Sequence, residues 1–179
     1  YTYGNFTYDG HEEAVTVTVS DDGSGQLVAT PAYATSGGED AYAFSNAFTG
    51  TASLSLSASK TLTGRSLVPG EFQFVVVKYD SNWNYIATLG AATCDDSGVI
   101  SFNDIDTYTF EDVGKSYLYQ LFEVIPDGAV QVDDEHYVLD GVTYDAHSEW
   151  AYVQVSYDSA SQSIVTNEDL CDIHGWVFA

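Results

Sequence analysis

The stretch FTYDGHEEAVTVTVSDDGSGQLVAT, residues 6–30, aligns without gaps onto VTYDAHSEWAYVQVSYDSASQSIVT, residues 142–166, an offset of 136. Matched pairs include Thr7/Thr143, Tyr8/Tyr144, Asp9/Asp145, His11/His147, Glu13/Glu149, Val17/Val153, Val19/Val155 and Asp22/Asp158. Further on, with two residues deleted, YAFS (42–45) meets WVFA (176–179). An ungapped match of this length is an internal repeat rather than a chance likeness of two β-segments, and a repeat constrains both copies to one architecture. Residues 1–49 are expected to be the C-terminal half of a first repeat. Residues 50–179 are expected to be a second repeat lacking the end of its last strand, which makes the chain a window on a longer tandem array.

Strand signals dominate both copies. AVTVTVS, QLVATPAY, EFQFVVVKY, YLYQLFEV and EWAYVQVSY are rich in β-branched and aromatic residues, and several alternate apolar with polar positions. Turn chemistry separates them: SDDGSG, TSGGED, YDSNWN, CDDSG, IPDG and VLDG. No convincing amphipathic helix is visible. Many short strands at near-regular spacing predict an all-β fold, an immunoglobulin-like β-sandwich in each repeat. Charge narrows the function classes. The chain holds 27 acidic residues against four basic ones (Lys60, Arg65, Lys78, Lys115), a formal net charge of −23. Nucleic-acid binding needs a cationic surface and is excluded on that ground. Contact with anionic lipid is disfavoured in the same way. No apolar run approaches the length of a membrane span, and no signal peptide or wall-sorting tail lies within the segment.

Three polar residues break apolar strand faces. In TASLSLSASKTLTG the even face runs Ala52, Leu54, Leu56, Ala58, Lys60, Leu62. In AYAFSNAF it runs Tyr42, Phe44, Asn46, Phe48, and in YLYQLFEV the odd face runs Tyr117, Tyr119, Leu121, Glu123. Burying an amine, an amide or a carboxyl is costly unless each is paired. A plain buried Lys–Glu ion pair is one explanation, and such pairs contribute little net stability. Chemistry is the other. A lysine amine in an apolar site becomes a neutral nucleophile. A carboxyl in the same site stays protonated and can shuttle protons. Attack of the amine on an asparagine side-chain carbonyl, with loss of ammonia, gives an intramolecular isopeptide bond.

At these residues the chain resembles the streptococcal pilin isopeptide-linkage repeat family. The resemblance rests on SASKTLTGRSLVPGEFQFVV, DSGVISFNDIDTYTFEDVGKSYLYQLFEV, GVTYD and YVQVSYD. It implies a K-x-L-x-G-R first strand, a Y-x-Y-x-x-x-E strand and a closing F-x-N-x-F strand that runs parallel to the first. It further implies that Lys60 is the isopeptide nucleophile, Glu123 the assisting acid and Asn46 the isopeptide acceptor of the first repeat. The acceptor for Lys60 is expected at the position after Ala179. A pairing of Asn46 with Lys60 is disfavoured, because only thirteen residues separate them and a parallel crossover needs a dozen or more with an intervening element. Asn167 lacks the aromatic frame of an acceptor. The family implies a structural role on the cell surface, extracellular and cell-wall anchored or in a pilus. Its partners would be neighbouring repeats or pilin subunits, with no cofactor and no turnover beyond one self-cross-linking event. A surface adhesin module that binds sugar or host protein is the alternative.

The remaining candidates are weaker. Cys94 and Cys171 match no zinc spacing, and both one disulfide and two separate buried thiols stay open. His11 and His147 share one repeat position and look structural. The acidic turns SDDGSG and CDDSG do not follow EF-hand spacing, so no metal site is expected. Trp83, Trp150 and Trp176 suit packing better than a sugar-stacking platform.

Overall fold

The computed structural model describes residues 1–34, 43–170 and 177–178, Leu170 by its backbone alone. The chain divides into two compact units, Tyr1–Thr49 and Gly50–Ala179. The first unit holds β1 (Thr2–Tyr3), β2 (Phe6–Thr7), β3 (Val15–Asp21), β4 (Leu27–Tyr33) and β5 (Ala47–Phe48). Strands β1, β2 and β5 form a three-stranded sheet, and β3 with β4 forms a hairpin. The hairpin turn closes on Asp22, whose Oδ1 accepts the N–H groups of Ser24 and Gln26 at 2.8 and 3.2 Å. Val15, Val17 and Val19 alternate along β3 as a half-buried strand should, yet all three are exposed.

The second unit begins with β6 (Ala52–Lys60), β7 (Gln73–Asp80), β8 (Tyr85–Thr93), β9 (Val99–Tyr108) and β10 (Ser116–Glu123). It continues through β11 (Val130–Gln131), β12 (His136–Leu139), β13 (Val142–Asp145), β14 (Ser148–Asp158), β15 (Ser163–Leu170) and β16 (Val177–Phe178). Among the described residues there is no α-helix; the single helical piece is a 3-10 turn, Phe110–Asp112, capped by Thr109. A five-stranded antiparallel sheet runs β15-β14-β10-β7-β8, and a three-stranded sheet runs β16-β6-β9. A smaller sheet, β11-β12-β13, stands beside them. The fold is all-β and of immunoglobulin-like sandwich type. Strands β8 and β9 were not legible from pattern, because Ala, Gly, Asn and Asp interrupt their β-formers.

Alternation builds the core. Leu54, Leu56 and Ala58 of β6 point inward with Ile100 and Phe102 of β9. Phe74 and Val76 of β7, Tyr119 and Leu121 of β10, and Ala151, Val153 and Val155 of β14 supply the other wall. The Phe74 and Phe178 rings meet across the two sheets, 5.1 Å between centroids. Each fully buried side chain of this size stabilises the fold by about 1.5–3 kcal/mol. One glycine is dictated by a close approach: at Gly98, φ +87, an added Cβ would lie 2.1 Å from the carbonyl oxygen of Lys60. The Gly98 carbonyl accepts the Lys60 N–H at 2.7 Å, so the turn after Asp95 pins the end of β6.

Candidate functional site

Lys60 closes β6 on the same face as Leu54, Leu56 and Ala58, so strand geometry alone turns its side chain into the core. Glu123 closes β10 on the facing wall by the same alternation. The two meet: Lys60 Nζ donates to Glu123 Oε2 at 3.0 Å, and both side chains are 0% accessible. The ammonium also lies 4.7 Å from the centroid of the Phe72 ring. Glu123 Oε2 accepts a second donor, the Asp145 N–H, at 3.1 Å. Glu123 Oε1 is buried and has no hydrogen-bond partner among the described residues. Burial pushes the Glu123 carboxyl up, and Lys60 with the Asp145 N–H offsets that only in part. Strand β16 runs parallel to β6, with Val177 opposite Ser59 and Phe178 opposite Lys60, and the Thr61 N–H donates to the Phe178 carbonyl at 2.7 Å. The last described strand thus lies directly beside the lysine.

A second cluster adjoins this pair. Asp145 Oδ1 accepts the His147 N–H at 3.1 Å and contacts His147 Nδ1 at 2.5 Å, while His147 Nε2 lies 3.1 Å from Glu149 Oε1. The imidazole stacks on Phe178, centroids 4.7 Å apart. Burial opposes charge on His147, but the bonds to Asp145 and Glu149 outweigh it and raise its pKa above the usual value. The first unit repeats this arrangement. Asp9 Oδ1 accepts the His11 N–H at 3.1 Å and contacts its Nδ1 at 2.5 Å, His11 Nε2 lies 3.2 Å from Glu13, and the ring stacks on Phe44 at 4.5 Å. Here Asn46 Oδ1 accepts the Asp9 N–H at 3.1 Å, and Asp9 Oδ2 accepts the Ser45 N–H at 3.0 Å. Those bonds from Ser45 and His11 pull the Asp9 carboxyl down to about 2.

The expected residues therefore fall into two groups. Lys60 and Glu123 are in contact and buried, whereas Asn46 is exposed in the first unit. Its parity face was expected to be covered, but the described residues of that unit supply no strands matching β6 and β10. Cys94 is buried and forms no disulfide among the described residues; Cys171 lies outside them, as do His174, Trp176 and Ala179. Asn167 is exposed on the edge strand β15. Among the described residues no group of three or more His, Cys, Asp or Glu side chains is arranged to hold a metal ion.

A second buried lysine was not anticipated. Lys78 Nζ lies 2.5 Å from Asp106 Oδ2 and 3.9 Å from the centroid of the Tyr117 ring. The signal was present: Phe72, Phe74, Val76 and Lys78 share one parity face, as the residues of β6 do.

A carboxyl touching an amine, with both side chains closed to solvent, can move protons between an attacking amine and a leaving group. Among protein-family models, the one described as the Spy0128-like isopeptide containing domain (FctA) matches residues 2–49 and 56–170. A search of the curated proteins finds no match.

Proposed function

The chain belongs to the Spy0128-like isopeptide containing domain family, and from that premise we propose that it is a segment of a bacterial cell-surface pilin or adhesin stalk. Its repeats are tied by autocatalytic Lys–Asn isopeptide bonds. The observation that carries this reading is the Lys60–Glu123 contact, 3.0 Å long between two side chains with no solvent access. A charged pair in that position is costly, and proton transfer within it yields a neutral amine and a carboxylic acid, the pair that amide exchange requires. Lys60 Nζ attacks the Cγ of an asparagine amide. Glu123 takes a proton from the attacking nitrogen and delivers one to the departing amide nitrogen. The C–N bond to ammonia breaks as the C–N bond to Lys60 forms, and ammonia leaves. The acceptor for Lys60 belongs at the repeat position that Asn46 fills in the first unit. Asn46 in turn serves the lysine of its own repeat.

The purpose is mechanical. A covalent tie between parallel first and last strands carries a pulling force past the hydrogen-bond ladder. It also removes unfolded-state entropy, worth about 4.7 kcal/mol in the chain-entropy model for a loop on the order of 100 residues. Neighbouring repeats or pilin subunits are the partners, and the extracellular cell wall or pilus is the location. Intact-mass measurement on the full-length protein is the test: each complete repeat should be about 17 Da lighter than its sequence, the ammonia expelled. An unchanged mass sinks the proposal. A second reading, an adhesin that binds sugar or host protein, draws on the exposed Trp83 and Tyr85. Binding of the isolated second unit on a glycan array would favour it.

A further inference from the structure

The same backbone group touches different reaction partners in the two units. In the second unit the Asp145 N–H donates to Glu123 Oε2 at 3.1 Å. In the first, the N–H of its repeat counterpart Asp9 donates to Asn46 Oδ1, also at 3.1 Å. One copy shows this donor on the acid, the other shows it on the acceptor amide. The surroundings are duplicated closely: the aspartate carboxylate accepts the histidine N–H at 3.1 Å in both, and the imidazole stacks on Phe44 or Phe178 at 4.5 or 4.7 Å. Phe44 lies two positions before Asn46 on one face of the chain. The Asp9 carboxylate adds a bond from the Ser45 N–H at 3.0 Å, so the segment grips three successive residues of the acceptor strand.

We infer that the Asp-x-His-x-Glu segment, Asp9–Glu13 and Asp145–Glu149, is a clamp that presents the acceptor asparagine and supplies a backbone donor to its carbonyl oxygen. This rests on the Lys–Asn reading given above. In the second unit, with β16 already beside β6, the Asp145 N–H and Lys60 Nζ both bond Glu123 Oε2, while Oε1 is buried without a partner among the described residues. As the amide enters, the N–H transfers from the carboxyl to the amide oxygen. The carboxyl then has both oxygens available for proton transfer. When Lys60 attacks, negative charge develops on that amide oxygen, and a fixed backbone donor 3.1 Å away, as in the first unit, stabilises it in a site closed to water. Asp145 contributes the reacting-site donor through its main chain. Its side chain, with His147 and Glu149, acts as the positioning element that aims it.

Cell-free synthesis of the full-length protein, sampled over time by intact mass and peptide mapping, tests this. Asp145→Ala should slow cross-linking at Lys60 by about 10- to 100-fold, because a loosened donor costs rate steeply. Asp145→Asn, which keeps an acceptor for the His147 N–H, should restore a rate near wild type. A folded Asp145→Ala protein that cross-links at the wild-type rate overturns the clamp and leaves the cross-linking reading intact. Where Asp145→Ala does not fold, His147→Ala decides by the same rate comparison, with slowing expected and an unchanged rate overturning. A wild-type protein without the mass loss overturns both readings together.

Discussion

The second unit buries two lysines, and their surroundings differ. Lys60 meets Glu123 with both side chains fully enclosed, a phenylalanine ring for company and one carboxyl oxygen left without a partner among the described residues. Lys78 meets Asp106 with side chains 11% and 13% accessible, inside a cage of tyrosines. The Tyr119 hydroxyl donates to the same Asp106 oxygen at 2.6 Å, the Tyr108 hydroxyl lies 2.5 Å from that of Tyr119, and Tyr117 donates to Asp112 at 2.6 Å. Burial raises the Tyr108 and Tyr119 pKa values, so both stay protonated. The Lys78 site is a closed polar network, which rigidifies a core. The Lys60 site holds an acid with unused hydrogen-bonding capacity. Burial of a charge does not separate the two sites; a carboxyl oxygen without a partner among the described residues does.

Three experiments break or sharpen that contrast. The largest effect is expected from Glu123→Ala, which strands the Lys60 ammonium in the core. It should cost about 3–5 kcal/mol by chemical denaturation and abolish the mass loss of that repeat. Lys78→Met should cost less, about 1–3 kcal/mol, since Tyr119 still donates to Asp106. It should leave cross-linking untouched, and a lost cross-link there would erase the distinction between the two sites. The smallest effect is a pH dependence. The folded-state pKa of His147 is raised above 6.5, so its stabilisation is fully present below about pH 6.5 and fades as pH climbs through the raised value. Its facing groups are Asp145, Glu149 and the Phe178 ring. Melting temperatures of wild type and His147→Gln should therefore converge on the alkaline side and diverge on the acid side.

Much of this was legible in the sequence because β-structure writes its faces at a period of two. Lys60 and Glu123 stood out as polar residues in apolar rows, and the 136-residue offset pointed to shared architecture. Lys78 obeyed the same rule, but VVVK has apolar residues on both faces and conceals the parity. Asp106 was beyond reach. Strand β9 shifts register against β6 between Leu54 and Leu56, and Asp104 adopts φ 47, so counting along SFNDIDTY loses the face. The Asp9 and Asp145 main-chain donors were hidden for another reason: a backbone N–H has no letter in the sequence. The exposure of Asn46 follows from which strands cover it, a property of neighbours rather than of AYAFSNAF itself.

The parallel seating of β16 against β6 also sets a timetable. Thr61 and Phe178, joined by hydrogen bonds, are 117 residues apart in the chain. At ribosomal speeds the second arrives roughly 6–23 s after the first, with the slow closure of a long-range β-pairing still to come. Glu123 follows Lys60 by 63 residues, so that pair is complete well before the final strand arrives. The bond would then serve as a seal that a newborn domain receives only once its final strand is home, and a copy stalled or misthreaded on the way would leave the cell's assembly line unsealed and open to proteases.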